Sequence, residues 1–132
     1  MKKIVLVGLL AFGILGCDPI SQMEANIKNS TSETLTLEFI SSEESLNKSL
    51  QLAPNEIELF QEAEDIGSTF LEPSLIEYDS VVVKNQTEQI LKVYKESTTG
   101  KNIYDISGFW QQSEPSKRFF KYEFMLIDED LD

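Results

Sequence analysis

The chain has 132 residues, a formal net charge of −12, one cysteine and no histidine. A chain of this length predicts a single domain, and its acidic excess disfavours nucleic-acid binding, which needs basic patches that neutralise phosphates. The lack of histidine excludes Ser-His-Asp and Cys-His catalysis and the common histidine-containing zinc sites. We therefore expect no catalytic residue, no cofactor and no metal ion, and we predict that the protein is not an enzyme.

The first seventeen residues have the parts of an export signal. Lys2 and Lys3 give a positive start, residues 4–16 are an uncharged apolar run, and Cys17 follows directly. A run of about 13 residues is too short for a bilayer-spanning helix, which needs roughly 20. The pattern instead predicts a signal peptide over residues 1–16 that is removed on export.

The end of this signal resembles the lipobox of bacterial lipoproteins. Ile14-Leu15-Gly16-Cys17 places an aliphatic and a small residue before the cysteine. In that class the sulfur carries a diacylglycerol, the signal is cut before the cysteine, and the new amine receives a further acyl chain such as palmitate. The resemblance implies that Cys17 is the lipidation site and that the protein is held on a membrane, since two or more acyl chains anchor stably.

The same resemblance implies a location in the cell envelope, with the outer membrane favoured. Asp18 follows the cysteine. In enteric-type bacteria an aspartate at this position resembles a signal for retention at the inner membrane, so the inner membrane remains an alternative location. The alternative is an ordinary secretory signal with a free thiol, although Ile14 stands where such signals prefer a small residue. Without its signal, the chain has nine basic and 23 acidic residues, a net charge of −14.

The residues after the signal predict a tether and then strands. Residues 17–24 are short and polar, and we interpret them as a lipidated tether to a β-sandwich domain over 25–127. Strict alternation over 33–39 predicts a half-buried strand. A partner strand is predicted at 25–29, and the turn-forming residues 29–32 lie between the two strands, so the pair is predicted to be a hairpin.

A second pair of strands is predicted at 45–52 and 56–61. The reversal between them lies at 53–55, where proline and asparagine favour a turn. Four apolar side chains are the inward candidates of this pair: Leu50, Leu52, Ile57 and Leu59. Residues 62–73 are irregular and suit either a single helical turn or an acidic loop.

The second half of the chain predicts further strands at 78–84, 89–96 and 118–127. Three consecutive valines make the first of these the strongest β signal of the chain. Residues 102–110 suit a short strand or a packed loop, and 128–132 form an acidic tail. In the last strand, one face carries Phe120, Tyr122, Phe124 and Leu126. About seven or eight short strands predict an all-β fold, a small antiparallel β-sandwich that is Greek-key-like.

Three groups of side chains are candidates for chemistry or contact. A glycosidase needs two carboxylates at a set distance, but in so acidic a chain we expect the carboxylates to form only a charged face. The candidate carboxylates are Glu62, Glu64, Asp65, Glu72, Glu77 and Asp79. The acidic tail offers carboxylate oxygens as calcium ligands, from Asp128, Glu129, Asp130 and Asp132. It lacks the glycine and the ligand spacing of an EF-hand calcium loop, so we expect a hydrated tail without bound metal. The aromatic residues near the end of the chain either pack under the segment 102–113 or, if exposed, indicate a contact surface for a glycan or a protein. These are Phe109, Trp110, Phe119 and Phe120.

The order of the elements resembles the small uncharacterised lipoproteins of Bacteroidota. The resemblance rests on the lipobox, the short tether, the opening strand 25–29, the strand that starts at Tyr78-Asp79-Ser80-Val81 and the aromatic closing strand with an acidic end. Asp79-Ser80-Val81 also resembles the O-glycan acceptor triplet of that phylum, with Ser80 as the acceptor. The group implies a location and no shared activity.

These observations predict a membrane-anchored lipoprotein that is a non-enzymatic binding or accessory module of the cell envelope. Its partner would be a protein or a glycan, and not a nucleic acid. The alternative is a lipoprotein immunity or inhibitor protein, whose acidic face neutralises a basic toxin or enzyme through complementary charge.

Overall fold

The computed structural model describes residues 18–131, so the predicted signal peptide and Cys17 lie outside the described residues. The described chain forms eight strands, one short helix and two 3-10 turns. The strands are β1 (Ile20–Asn29), β2 (Leu35–Ile40), β3 (Lys48–Leu52), β4 (Ile57–Ile66), β5 (Ser80–Lys84), β6 (Ile90–Tyr94), β7 (Gln111–Ser116) and β8 (Phe119–Leu126). The helix α1 is Ile106–Phe109, and the 3-10 turns are Glu44–Leu46 and Asp128–Leu131.

The strands form two four-stranded sheets that pack as a sandwich, which confirms the predicted all-β fold. The first sheet has the order β4-β1-β8-β7, and the second has the order β3-β2-β5-β6. Neighbouring strands are antiparallel except β1 and β8, which run parallel. The first and last strands of the domain are therefore neighbours at the centre of the first sheet.

Strand β1 begins earlier than the sequence predicts. Ser21 and Met23 are buried, and burial continues at every second residue to the end of the strand. The prediction that the tether extends through Glu24 is therefore wrong from Ile20 onward. Polar residues at alternate positions made this segment resemble a linker, although alternation is what a strand with one solvated face requires.

The predicted hairpin between β1 and β2 is also wrong, because the two strands lie in different sheets. Asn29 is fully buried where the chain crosses. Its side-chain amide donates to the carbonyls of Glu33 (2.7 Å) and Leu52 (2.9 Å), and its side-chain oxygen accepts from the Thr31 N–H (2.9 Å). The turn-forming residues thus connect the two sheets at one end of the sandwich.

The predicted reversal at 53–55 is present, but it too joins strands of different sheets. Asn55 has a φ of 67°, a left-handed conformation that asparagine tolerates. Its N–H donates to the carbonyl of Asn29 at 2.6 Å, which places this turn beside the first crossing. Of the inward candidates, Leu52 is buried and Leu50 packs against the core. Ile57 and Leu59 are exposed, so that part of the prediction is wrong.

The core between the sheets is formed largely by the faces that alternation predicts. On β2, Leu35, Leu37 and Phe39 are fully buried. The predicted inward face of β8 is confirmed, with Phe120 at the margin of the core. The valines of β5 are buried as well. An aromatic group joins the sheets, since the Phe39 ring stacks on Phe60 with 4.7 Å between centroids.

The segment before β8 contains one element that the sequence analysis missed. Residues 102–110 are a packed loop with the short helix α1, capped by the Asp105 side chain, which accepts from the Gly108 N–H at 2.9 Å. Strand β7 follows and pairs with β8. Every residue of β7 is exposed, so it has no apolar alternation that could have revealed it.

The acidic end forms the 3-10 turn Asp128–Leu131, in which Asp128 and Glu129 are exposed, as a hydrated tail requires, whereas the Asp130 side chain is largely buried. Asp132 lies outside the described residues. Lys101 pairs with Asp130 at 2.6 Å, and the same Asp130 oxygen accepts from the Ile127 N–H at 2.9 Å. The Lys101 ammonium also lies 5.2 Å from the centre of the Phe124 ring. One lysine thus holds the chain end over the edge of the core.

We predict that Leu37→Asp destabilises the domain by more than about 4 kcal/mol, because it buries a charge with no partner. The matched control is Thr36→Asp on the opposite face of β2, where Lys84 is directly opposite. This change should alter the free energy of unfolding by about 1 kcal/mol or less. Urea unfolding measures both values, and equal losses would contradict the assigned faces.

Candidate functional site

The acidic residues singled out in the sequence do not converge on one site. Glu62 and Glu64 lie on the solvent side of β4, opposite Glu24 and Gln22 of β1. Asp65 is on the other side of the strand, where its carboxylate accepts from the Ser68 hydroxyl. The remaining three lie in the connection between β4 and β5, over residues 67–79. Within residues 18–131 there is no group of three or more acids, cysteines or histidines placed to hold a metal ion.

One pair of carboxylates is close together, although the sequence analysis did not select it. Glu56 accepts a hydrogen bond from the Ala53 N–H at 2.8 Å, which lowers the pKa of Glu56. A hydrogen bond between the two carboxyl groups raises the pKa of the neighbouring Glu58. Both side chains are in solvent at the start of β4 and, among residues 18–131, line no cleft that could hold a substrate, so this arrangement does not indicate a catalytic pair.

The four aromatic candidates are divided among different surroundings. Trp110 is buried, and its ring N–H donates to the Ile103 carbonyl at 2.7 Å. Phe120 faces the core and meets the ring of Phe70 at 5.4 Å. Phe119 lies on the opposite face, as the alternation predicts, and Phe109 is exposed on α1. The structure therefore does not gather these rings into one contact surface.

A β-bulge in β4 decides which side chains of that strand face solvent. The register passes from Ala25 opposite Gln61 to Asn26 opposite Leu59, so Phe60 has no partner on β1. An extra residue of this kind shifts the alternation by one position. Before the bulge, Ile57 and Leu59 face outward and are 50% and 40% exposed; Phe60 turns into the core and is 3% exposed.

The outward side chains of the first sheet form a continuous surface, which we call the outer face. The register places these residues on it: Ile20, Gln22, Glu24, Asn26 and Lys28 of β1; Ile57, Leu59, Glu62, Glu64 and Ile66 of β4; Phe119, Lys121, Glu123 and Met125 of β8; and Gln111, Ser113 and Ser116 of β7. The outer face is therefore acidic, with four glutamates and two lysines. Apolar side chains lie between these charges.

Two shallow, open depressions adjoin on the outer face. One has a volume of about 360 Å³ and is lined by Glu24, Glu62, Glu64 and Phe119, among others. The second, of about 550 Å³, is lined by Glu24, Asn26, Ile57, Gln111, Gln112, Ser113, Lys121 and Glu123, among others. Glu24 belongs to both, and its carboxylate lies 3.8 Å from the Lys121 ammonium. An ion pair this exposed contributes little to stability and is free to change partners.

The outer face is the best candidate for a functional site, and most of it differs from the sequence-based predictions. Strand β7, which supplies one side of the second depression, was not predicted, and Ile57 and Leu59 were predicted to face the core. The outward positions on β8 did follow from sequence alternation, because Phe119, Lys121, Glu123 and Met125 alternate with the predicted inward face. Ser80, the proposed glycan acceptor, lies elsewhere; it is half-buried in β5 and opposite Ile40, and its modification stays a prediction.

Comparison of the chain with protein-family models, with curated proteins and with solved structures gives no match. In the part of the chain that the structure describes, no helix has the length and hydrophobicity required to cross a bilayer. The outer face must therefore be interpreted from its own residues.

We predict that Phe60→Ala lowers the free energy of unfolding by about 3–5 kcal/mol, as expected for removal of a buried aromatic ring. Its neighbour provides the control, because Leu59→Ala removes an exposed side chain and should cost about 1 kcal/mol or less. Chemical unfolding of both variants tests the bulge directly. A larger loss for Leu59→Ala would place the outer face on the wrong side of β4.

Proposed function

We propose that the protein is a lipoprotein, anchored to a membrane of the cell envelope through Cys17, that acts as a non-enzymatic binding module. The lipobox supports the anchor, and the absence of histidine from the chain supports a role outside the common catalytic mechanisms. The binding surface that we assign is the outer face of the first sheet. Its partner would be a protein that carries basic side chains beside apolar ones.

The observation that carries this proposal is the exposure of Ile57 and Leu59 among carboxylates. Large apolar side chains on a sheet surface lose contact with water when a partner covers them, which favours binding. The glutamates around them would select positively charged groups on that partner and speed the encounter. A glycan is less well matched, because Phe119 is the one aromatic ring of the outer face and Trp110 is buried in the core.

The second candidate is an immunity or inhibitor protein, and the same surface supports it. A basic toxin or enzyme would be attracted by the net charge of −14 that the chain has without its signal. The two candidates differ in the identity of the partner and in the position of the gene. An immunity gene should neighbour a toxin gene, whereas an accessory module should neighbour genes for envelope transport or polysaccharides.

The anchor is tested by changing the cysteine. We predict that Cys17→Ala moves the protein from the membrane fraction to the soluble fraction, because the sulfur that carries the lipid is lost. Asp18→Asn is the control, since it keeps the cysteine and should remain bound to a membrane. Fractionation followed by mass spectrometry of the N-terminus measures both results. Retention of Cys17→Ala on the membrane, or an unmodified Cys17 in the wild-type protein, would refute the anchor.

The outer face is tested by capturing the partner from the protein's own membrane after cross-linking. We predict that the double change Ile57→Ser and Leu59→Ser weakens capture by at least about tenfold, because burying each side chain is worth roughly 1.5–3 kcal/mol. Ile90→Ser is the matched control on the second sheet, where Ile90 is 57% exposed. Equal losses, or no loss in the double variant, would rule out the outer face. Recovery of a basic toxin or enzyme would select the second candidate.

A further inference from the structure

Three large apolar side chains are exposed at the end of the first sheet where β1 begins. Ile20, Ile66 and Phe70 are 51%, 65% and 54% exposed. Ile20 and Ile66 are directly opposite each other on β1 and β4. The Gly67 N–H donates to the Pro19 carbonyl at 2.7 Å, and Phe70 lies near this end on the other side of the sheet, where its ring meets that of Phe120 at 5.4 Å. We call these three residues the end patch.

Two basic residues lie at the same end. Lys117 and Arg118 form the turn between β7 and β8, and the Arg118 carbonyl accepts from the Gln22 N–H at 2.8 Å. In a chain with 23 acidic residues, adjacent basic residues are uncommon. Acidic groups lie at this end as well: the Glu114 carboxylate accepts from the Arg118 N–H at 2.8 Å, the Asp65 carboxylate accepts from the Ser68 hydroxyl, and Asp18 precedes β1.

The covalent chain keeps this end close to residue 17. From Cys17 to Ile20 there are three residues, which span at most about 11 Å when fully extended. The headgroup region of one leaflet is about 5–8 Å thick. Acyl chains on Cys17 would therefore hold the start of β1 at the membrane surface, and a protein of ordinary size would not fit between the end patch and the lipid.

We propose that the end patch lies in the headgroup region of the bilayer, with Ile20, Ile66 and Phe70 against lipid and with Lys117 and Arg118 at the phosphates. This inference rests on the proposed lipidation of Cys17. Apolar and basic side chains together are the composition that favours the membrane interface. The partner of the end patch is thus a lipid surface, and the contact fixes how the domain stands on it.

The orientation follows from the direction of the strands. Strand β1 leaves the membrane and runs about 30 Å to Asn29 at the usual rise for a strand of this length. The outer face is then perpendicular to the plane of the membrane, and both depressions open parallel to that plane. The opposite end of the sandwich, where Ser32, Pro54 and Gln86 line one depression, points away from the lipid.

Tryptophan reporters in the lipidated full-length chain test this orientation. Phe70→Trp and Ile66→Trp place a reporter in the end patch, and Phe109→Trp places one at the other end of the first sheet, just before β7. Trp110 is buried and is present in every variant, so it contributes a constant background. Each variant is reconstituted into vesicles of phosphatidylethanolamine and phosphatidylglycerol whose acyl chains are brominated near the headgroups, because bromine quenches tryptophan on contact.

We expect the reporter at 66 or 70 to shift its emission to the blue and to lose most of its added fluorescence, while the reporter at 109 stays unquenched. Quenching at 109 but not at 66 or 70 would overturn the inference. So would vesicle-bound protein with no quenching at any position, which would leave the end patch for a protein to cover. Flotation of the vesicles separates this result from failure of the anchor, in which case none of the variants would float.

Discussion

The pairing of β1 between β4 and β8 is the interaction on which the rest of this domain depends. Strand β1 supplies one row of the core through Met23, Ala25 and Ile27, and its last residue, Asn29, ties the sheets together at one end. Its parallel contact with β8 joins residues about a hundred positions apart in the chain. Such contacts are entropically costly to close and must be offset by burial. The aromatic and aliphatic side chains of β8 provide that burial on the same face.

The bulge in β4 connects this packing to the proposed function. If β4 alternated without interruption, Phe60 and the outward glutamates would share a face, and a buried ring would have to share it with charges that need solvent. The extra residue lets Phe60 stack on Phe39 while Glu62 and Glu64 remain in water. The same shift leaves Ile57 and Leu59 outside. The apolar part of the outer face is thus a direct consequence of how the core is filled.

Sequence patterns predicted the faces of strands but not their partners. Strict alternation on β2 and β8 assigned Leu37 and Tyr122 correctly to the core, because the period of two is a local property. The pairing of β1 depends on residues far along the chain, so a good turn at 29–32 was mistaken for a hairpin. Strand β7 has two exposed faces and needs no apolar residue. A bulge likewise leaves no local sign when, as in β4, it contains no glycine. The outer face combines all three features, which is why only its β8 residues, from Phe119 to Met125, could be assigned to it by alternation.

The distribution of charge and apolar surface gives the domain two different surfaces under the proposed anchoring. A chain with a net charge of −14 is repelled by anionic headgroups, so its membrane contact must come from acyl chains and apolar groups. Lys117 and Arg118 reduce that repulsion at the end where β1 begins. Glu64 lies two residues from Ile66, whereas Glu24, Glu62 and Glu123 are farther along the strands and act at a distance from the lipid, on molecules that approach from the side. Confinement to a surface raises the effective concentration of partners held on the same membrane, and a fixed orientation keeps the outer face available to them. Weak contacts on a shallow face would then suffice, because holding both molecules on one membrane raises their effective concentration and so offsets the low affinity of the depressions.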